Sequence, residues 1–175
     1  CDTMNKFRVN GDMYGSPMRL AYPDVDHTEF MLVLGANPAV SGTTLYHLPR
    51  SRQRLGAIVK RGGRVVFINP RRIETARAGE HLFIRPDTDV YFLAAFCNEV
   101  IRRGGVDKPR VDRSMKNFEQ LAAVVAPWTP ERQAEVTGIS AATLNELARD
   151  YLAANAACLN MATGVNQGRS GTLCY

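Results

Sequence analysis

Four short polar loops contain the residue types that bind anionic ligands. Each follows an apolar run, and in chain order they read GANPAVSG, NPRR, RPDTD and TGVNQ. Glycine lets a ligand come close to the backbone because it has no Cβ, and loop N–H groups beside a helix N-terminus favour an anion. The first loop is not G-x-G-x-x-G and lacks the G-K-S/T of a P-loop. On its own it indicates either a plain turn or a phosphate site.

The first two loops supply five candidate binding residues. Gly35 would allow close approach, while Asn37 offers a side-chain amide and Ser41 a hydroxyl. Asn69 ends the second apolar run, a position that contacts the ribose in dinucleotide-binding folds. Arg71 follows it and can hold a phosphate or a carboxylate through forked hydrogen bonds. The alternative for Arg71 is a solvated arginine beside a turn.

Asp89 ends the third loop, at the start of a helical pattern. Its ordinary role there would be to stabilise the helix dipole. A carboxylate also accepts two parallel N–H donors, which guanine presents on its Watson–Crick edge and adenine does not. If the ligand is a nucleotide, an aspartate at this position therefore indicates that its base is guanine. The three histidines are scattered and no Ser/His/Asp arrangement is visible, so we predict no catalytic residue within this chain.

The elements that carry these loops alternate between strands and helices. Predicted strands span 30–34, 64–68, 81–85 and 156–162, and predicted helices span 45–61, 89–103, 118–128, 129–138 and 140–155. Solidly apolar strands alternating with helices predict an α/β fold: an open, mainly parallel sheet with helices on both faces, a Rossmann-like dinucleotide-binding domain. The carboxyl ends of its strands share one edge, so the four loops should lie on one rim.

The predicted domain organisation is an irregular lead-in over 1–27, from a preceding domain, and a dinucleotide-binding α/β domain over 28–175. Residues 104–112 read as a linker, and 163–171 read as a glycine-rich loop. The chain does not start with Met, so we expect a piece of a longer protein, a fragment of a larger multidomain subunit.

Charge and cysteine usage narrow the class of protein. The net charge is +5, and ten Arg or Lys lie between positions 50 and 85, which favours an anionic ligand over the alternative of a solvated surface. The basic residues are not interleaved with aromatics, so no nucleic-acid partner is expected. No apolar stretch is long enough for a membrane span, and we expect no signal peptide. Four cysteines without a close pair indicate a reducing, cytoplasmic setting. A periplasmic location of the longer protein stays an alternative.

The order and spacing of these motifs resemble the molybdopterin oxidoreductases, the family of dimethyl sulfoxide reductase, nitrate reductase and formate dehydrogenase. FMLVLGANPAVS is similar to the strand and G-x-N-P loop of that family, and RGGRVVFINPRRIETARAGEHLFIRPDTD to its D-P-R and R-P-G-T-D segment. WTPERQAEVTGISAATLNELARDYLAANAA and TGVNQGRSG resemble two later stretches. The resemblance runs from Asp24 to the C-terminus.

The resemblance implies a cofactor and a parent enzyme. Family members bind molybdenum or tungsten through two molybdopterin guanine dinucleotides (bis-MGD) and catalyse two-electron redox reactions of a small substrate. Their catalytic subunit has two dinucleotide-binding domains, and this chain resembles the first. The implied partners are the remaining domains of the parent subunit, a small-molecule substrate and an electron-transfer partner. An iron–sulfur cluster in a missing domain is possible by analogy, and the isolated fragment is expected to be inactive.

By the same resemblance, Gly35, Asn37 and Ser41 would face the phosphate or ribose region of the cofactor. Asn69 and Arg71 would lie near its nucleoside.

The later loops would take the two ends of the cofactor. Arg85 and Asp89 would hold the nucleoside end, with Asp89 on guanine. Gly164 and Gln167 would approach the pterin end, near the metal.

Two positions depart from the family pattern. Asn69 replaces the Asp of D-P-R, which keeps an acceptor oxygen but loses the charge. Asp87 replaces the Gly of R-P-G-T-D. If that glycine supplies backbone freedom, the loop is altered here; if not, Asp87 is a spare exposed acid.

Cys1 is the candidate metal ligand. The family takes its protein ligand from a loop before the first strand of this domain, and Cys1 lies 34 residues before Gly35. A thiolate is a suitable soft ligand. The alternative is that Cys1 is only the residue at which the piece begins.

Two other functions stay open from the sequence. One is a plain nucleotide-binding module that uses NAD or a thiamine-type cofactor, although the missing G-x-G-x-x-G argues against NAD. The other is a protein-interaction or structural domain, with the basic zone 50–85 as its docking face.

Overall fold

The computed structural model describes residues 3–19, 21–41 and 48–175. The helices are α1 (Met4–Tyr14), α2 (Ser51–Lys60), α3 (Asp89–Arg102), α4 (Lys108–Ser114), α5 (Phe118–Val125), α6 (Pro130–Thr137), α7 (Ala141–Ala153) and α8 (Thr163–Asn166), with a short 3₁₀ helix at Glu74–Ala78. The strands are β1 (Phe30–Leu34), β2 (Arg64–Asn69), β3 (Glu80–Phe83) and β4 (Ala157–Met161). Among the described residues, no helix combines the length and the apolar character that crossing a membrane requires.

The four strands form one sheet in the order β3-β2-β1-β4, and all three pairings are parallel. The α/β class and the parallel sheet predicted from the sequence are therefore confirmed. In register, Leu34 pairs with Ile68 on one side and with Met161 on the other. This order matches the first four strands of the doubly wound dinucleotide-binding fold, whose strand order reverses between β1 and β4. The loops that follow β1 and β4 therefore flank the switch point.

The sheet belongs to a compact unit made of residues 1–90 and 154–175. Its apolar cluster joins alternate residues of β1 and β2 to the inner face of α2, and it includes Met31, Val33, Val65, Phe67, Leu55 and Ile58. The intervening strand residues, such as Leu32 and Val66, are fully buried as well. Burial on both faces explains why these strands are continuous apolar runs rather than alternating ones.

The start of α2 differs from the prediction. A helix over 45–61 was predicted, but the described helix begins at Ser51, after Pro49 and after Arg50, whose backbone is left-handed (φ +53°). The predicted residues 45–47 lie outside the described part of the chain. The Ser51 hydroxyl donates to the carbonyl of Pro38 at 3.0 Å, which attaches the start of this helix to the loop after β1.

A second compact unit spans residues 91–153 and is helical throughout its regular structure. The predicted cap of α6 is confirmed, because the Thr129 side chain accepts a hydrogen bond from the Arg132 N–H at 3.2 Å and Pro130 begins the helix. Gln133 is completely buried, and its amide donates to the carbonyls of Pro130 and Ile139. The amide thus satisfies backbone groups at both ends of α6.

The prediction of an irregular lead-in is wrong for Met4–Tyr14, which forms α1. This helix has no side-chain N-cap, so the usual sequence signal for a helix start is absent. It also contains Gly11 and has no clear apolar stripe. It is held by tertiary contacts instead. Asn5 donates to the Asn166 carbonyl at 2.7 Å and accepts from the Thr172 hydroxyl at 2.9 Å.

Three further boundaries also differ. The predicted linker contains α4, whose N-cap Asp107 accepts from the Arg110 N–H at 3.1 Å with Pro109 in the first turn. The glycine-rich loop after β4 opens with the short helix α8. The third strand runs over Glu80–Phe83 rather than 81–85.

Candidate functional site

The four polar loops lie on one rim because they follow the carboxyl ends of four parallel strands, as predicted. All four belong to the first compact unit. Ligands of doubly wound folds bind in the crevice outside the strand ends at the switch point. By that rule, the switch point of this sheet lies between the loops after β1 and β4.

Gly35 and Gly164 are the residues at which the loops after β1 and β4 touch. Gly35 has a left-handed backbone (φ +62°), and its carbonyl accepts from the Gly164 N–H at 3.0 Å. A Cβ on Gly35 would lie 2.6 Å from the nitrogen of Val165, and a Cβ on Gly164 would lie 2.8 Å from the Cα of Gly35. Glycine is therefore required at Gly35 because two loop backbones touch there. The approach of the same residues to a cofactor stays a prediction.

Asn37 anchors the first loop to the 3₁₀ helix that follows β2. Its side-chain oxygen accepts from the Thr75 hydroxyl at 2.7 Å, and its amide nitrogen donates to the Glu74 carboxylate. The Thr75 oxygen in turn accepts from the Ala39 N–H at 2.8 Å. The Asn37 hydrogen bond, followed by the backbone N–H of Glu74 and the Arg71 side chain, lowers the pKa of Glu74. Asn37 thus shapes the loop through both of its polar side-chain atoms.

Asn69 is buried at the end of β2, and its amide nitrogen donates to the Ala36 carbonyl at 3.4 Å. An aspartate has no N–H to donate at this point, so the departure from D-P-R provides a bond between the first two loops. Arg71 lies beside it on the exposed rim, 3.4 Å from the Glu74 carboxylate and 3.0 Å from the Arg72 carbonyl. Because Arg71 remains exposed to solvent, these two contacts leave it accessible to an anion.

A cleft of about 670 Å³ opens between the first loop and the start of α2. It is lined by Pro38, Ala39, Leu48, Pro49, Arg50, Ser51, Arg52 and Gln53. The volume falls within the usual range for small-molecule and cofactor sites. Arg50 and Arg52 form no ion pair with any other residue that the structure describes. Ser41 lies exposed at the end of the same loop, where its N–H donates to the Asn37 carbonyl at 3.0 Å.

Asp89 lies at the start of α3 beside the loop after β4. Burial raises its pKa, and the charge of Asp87 raises it further. The cleft in front of this carboxylate has a volume of only about 10 Å³ and is lined by Asp87, Val90, Val165, Gly168, Ser170, Gly171 and Cys174. That is room for about one water molecule. A guanine base therefore reaches Asp89 only if the segment 168–174 moves.

Asp87 joins the third loop to the fourth, a role that the sequence did not reveal. Its backbone is left-handed (φ +63°), the conformation in which glycine is favoured. Its carboxylate accepts from the Arg169 N–H at 2.8 Å and lies 3.7 Å from the Arg169 guanidinium. The interpretation of Asp87 as a spare exposed acid is wrong. The sequence signal was that Asp87 stands where the family pattern has glycine, the residue that turns with positive φ favour.

Arg85 and Gln167 lie exposed on the rim, on the third and fourth loops. The Arg85 carbonyl accepts from the Thr88 hydroxyl at 2.7 Å, which closes the turn before α3. The Gln167 N–H donates to the Thr163 carbonyl, so the backbone there continues the turn of α8. The structure brings these two residues to the same rim as Asp89.

The candidate metal ligand Cys1 lies outside the described residues. Within the described ranges, no group of three or more His, Cys, Asp and Glu side chains is placed to hold a metal ion. Cys174 lies next to Asp89, but burial, with the charges of Asp89 and Asp87, raises its pKa to about 12. It is therefore a protonated thiol at neutral pH rather than a ready ligand.

Searches against known proteins give the family. No family model matches the chain. Formate dehydrogenase H of Escherichia coli K12 is 30% identical over 155 residues, which is 88% of this chain and 21% of that protein. Nitrate reductase of Symbiobacterium thermophilum is 29% identical over 159 residues, covering 85% of this chain and 21% of the relative. The dimethyl sulfoxide/trimethylamine N-oxide reductase of Cereibacter sphaeroides is 29% identical over 156 residues, covering 83% and 19%.

Acetylene hydratase from Pelobacter acetylenicus is similar in structure, with a TM-score of 0.81 over 99% of this chain and 23% of that chain. At 21% identity, this likeness shows the fold alone. The chain spans about a fifth of the length of the curated relatives it matches. Its motifs, its fold and these relatives agree, and the chain belongs to the molybdopterin oxidoreductase family.

Proposed function

We propose that this chain binds one of two molybdopterin guanine dinucleotides in a molybdenum- or tungsten-dependent oxidoreductase. The observation that supports this most is the convergence of four polar loops on one rim at the switch point of a doubly wound sheet. The rim fits a dinucleotide in two respects. A cleft of about 670 Å³ lies beside the first loop, and two arginines there lack acidic partners among the described residues.

The phosphate end of the cofactor would lie in this cleft. Arg50 and Arg52 supply positive charge, and the start of α2 supplies backbone N–H groups and the positive end of the helix dipole. Ser41 adds a hydroxyl from the first loop. Gly35 and Asn37 would act mainly by fixing the path of that loop, since their contacts are to other loops.

The nucleoside end would lie against the second and third loops. Asn69 keeps its amide oxygen for a ribose or base contact while its nitrogen holds the Ala36 carbonyl. Arg71 and Arg85 are exposed on the rim and can pair with phosphate or carbonyl oxygens. Asp89 would accept the two N–H groups of guanine once the segment 168–174 has moved away from it.

The pterin end would approach Gly164 and Gln167, on the loop after β4. When bound, the metal and its dithiolene ligands supply the two-electron redox chemistry. The residues of this chain bind, orient and electrostatically balance that group, and none of them is proposed to react. The parent would act on a small substrate in the manner of its formate dehydrogenase and nitrate reductase relatives.

The rest of that proposal concerns the parent protein, meaning the longer polypeptide of which this chain would be part. Other domains of the parent would supply the second dinucleotide site, the substrate funnel, an electron-transfer partner and an iron–sulfur cluster. This chain alone would be inactive. Cys1 stays the predicted metal ligand, and the three described cysteines, all free thiols, are compatible with a cytoplasmic parent.

The test is to purify the parent protein and to measure its molybdenum, tungsten and guanine nucleotide content after acid release. We expect one of the two metals together with guanine nucleotide. The variant Asp89→Asn should lower the guanine content, whereas Asp12→Asn, which changes an exposed side chain on α1, should leave it unchanged. A parent that holds neither metal nor guanine would refute the proposal, and so would full guanine content in Asp89→Asn.

The same samples test the two alternatives. Bound NAD or thiamine cofactor in place of guanine would favour a plain nucleotide-binding module. For the docking alternative, Lys60 and Arg77 line a cleft of about 500 Å³ and form no ion pair with another described residue. Salt-sensitive binding of poly-glutamate to the chain, unaffected by Asp89→Asn, would support an acidic protein partner at that zone.

A further inference from the structure

The tip of the second loop has little support from its own backbone. Asn69 and Ile73 are buried at its two ends, and residues 70–72 between them are exposed. Among the described residues, none of these three takes part in a backbone–backbone hydrogen bond. The proposed function places Arg71 near the nucleoside of the cofactor. Its position therefore depends on a side chain from outside the loop tip.

His81 supplies that contact from the neighbouring strand. It is the second residue of β3, which lies beside β2 at one end of the strand order. Its ring nitrogen Nε2 lies 3.0 Å from the carbonyl oxygen of Arg71. The Arg72 carbonyl is bonded by the Arg71 side chain, within the loop itself. In the described part of the chain, His81 thus makes the one hydrogen bond that ties the backbone of 70–72 to another element.

The acceptor decides which ring nitrogen carries the proton. A carbonyl oxygen only accepts, so Nε2 must donate, and the neutral ring then has no proton on Nδ1. Nδ1 is buried and has no partner among the described residues. Burial lowers the pKa of His81, and the charge of Arg72 acts in the same direction, so the ring is neutral at pH 7. The Nε2–H is therefore the single donor of this side chain.

The ring is held in the orientation that this bond requires. Its centroid lies 4.6 Å from that of Phe83, and the two planes meet at 71°, an edge-to-face contact. His81 and Phe83 are two residues apart on one strand, so their side chains lie on the same face. Strand and aromatic contact together aim the imidazole at the Arg71 carbonyl.

Arg71 connects this anchor to the first loop. Its guanidinium lies 3.4 Å from the Glu74 carboxylate, and that carboxylate accepts from the Asn37 amide. A shift of the Arg71 backbone would therefore move the positive charge that the rim offers to an anion. It would also disturb the contact through which the first and second loops meet.

We propose that His81 is a positioning residue of the nucleoside subsite: its Nε2–H holds the Arg71 carbonyl and thereby keeps the Arg71 guanidinium on the rim. This deepens the proposed function and rests on it for the identity of the ligand. His81 acts through Arg71 and is not proposed to touch the cofactor. A neutral donor suits this place, because Arg71 and Arg72 already bring two positive charges and a third would repel them.

Trypsin tests the anchoring without any cofactor, because it cleaves after Arg71 and Arg72. The sample is the parent protein made in medium free of molybdenum and tungsten. Mass spectrometry follows cleavage at these two bonds, with the exposed bond after Lys116 as internal reference. His81→Leu should be cleaved about tenfold faster, because the hydrogen bond no longer holds the loop closed to the protease.

Two further variants separate this bond from a general loss of structure. His81→Gln keeps an N–H near the position of Nε2 and should be cleaved at about the original rate. His27→Leu, which changes an exposed histidine bonded to Asp24 before β1, is the matched control and should also match the original. An unchanged rate in His81→Leu, or equal rates in His81→Leu and His81→Gln, would overturn the proposal.

Guanine retention in the metal-loaded parent tests the role toward the cofactor. His81→Leu should lose guanine nucleotide about tenfold faster on dilution, and His81→Gln should restore retention. Faster cleavage of His81→Leu in a parent that holds no guanine would confirm the anchor and refute the proposed function. Faster cleavage with guanine retained equally by all variants would keep the proposed function and overturn the positioning role of His81.

Discussion

Replacing Gly35 by alanine tests the backbone contact between the first and fourth loops. Gly35 is the first residue after the apolar strand β1 and begins the first loop. Two separate costs are expected from the substitution. One arises from its left-handed backbone at φ +62°, and the other from the approach of Val165 and Gly164.

The magnitudes follow from these two features. A left-handed backbone costs a non-glycine residue about 1–2 kcal/mol. The added Cβ would lie 2.6 Å from the Val165 nitrogen and 3.0 Å from the Gly164 carbonyl carbon, so backbone would have to shift. Such overpacking costs about 1–3 kcal/mol. Together they predict that the free energy of unfolding falls by about 2–5 kcal/mol.

Two matched variants isolate the two costs. Gly62 has φ +88° and no atom within 4 Å of an added Cβ, so Gly62→Ala should cost only the left-handed strain. Gly164→Ala meets the Gly35 backbone at 2.8 Å and should cost only the overpacking. The double variant of Gly35 and Gly164 should be non-additive, because both clashes act on one contact.

Urea denaturation followed by far-ultraviolet circular dichroism measures all four variants. If Gly35→Ala is no more destabilising than Gly62→Ala, the tight backbone contact between Gly35 and the fourth loop is refuted. The same result would leave approach to a cofactor as the reason for a glycine at Gly35.

Three further predictions concern charges around the rim. Asp87→Gly removes a charge-assisted hydrogen bond from the Arg169 N–H, which contributes about 1.5 kcal/mol. The backbone amides of 168–174 should then exchange about tenfold faster in hydrogen–deuterium exchange. Unchanged rates would show that Asp87 does not hold this segment. Burial raises the pKa of Asp89, so its charge opposes folding at neutral pH, and Asp89→Asn should stabilise the chain at pH 7 in urea titrations. That advantage should vanish below about pH 4, where the carboxyl is protonated in both the folded and the unfolded state. Burial lowers the pKa of His81, and its Nδ1 is buried without a partner among the described residues. The free energy of unfolding should therefore fall as the pH drops through about 6.5, where the unfolded chain takes up the proton first. His81→Gln should flatten this pH dependence, and equal slopes in the variant and the original chain would contradict the prediction.

The elements that were predicted well are those whose signal is local. The strand Phe30–Leu34 was predicted at its observed bounds, and β2 and β4 within two residues, because solid apolar runs between turn residues have few other folds open to them. The start of α6 followed from Thr129 and Pro130. Alternation of strands and helices then sufficed for the parallel sheet and for a shared rim.

The elements that were missed depend on contacts distant in sequence. Helix α1 lacks a capping side chain, and its contacts lie about 160 residues away, at Asn166 and Thr172. Helix α4 did carry a local signal in Asp107 followed by Pro109, but neighbouring glycines favoured a linker. No sequence pattern could reveal that segment 168–174 would lie over Asp89, because that placement depends on how two loops pack.

Each of the two residues that depart from the family pattern connects two loops in this chain. Asn69 donates to the Ala36 carbonyl where an aspartate would repel it, and this ties the first loop to the second.

Asp87 has a left-handed backbone where the family pattern has glycine, and its carboxylate connects the third loop to the fourth. With Gly164 bonded to Gly35, the four loops are linked in pairs across the rim. A rim fixed by its own side chains needs little ordering when a ligand arrives, which lowers the entropic cost of binding. The exception is Asp89, the residue proposed to bind guanine, because the hydrogen bond from Arg169 to Asp87 holds the segment 168–174 over it. Cofactor entry should therefore be limited by release of the Arg169 N–H from Asp87 rather than by ordering of the first loop.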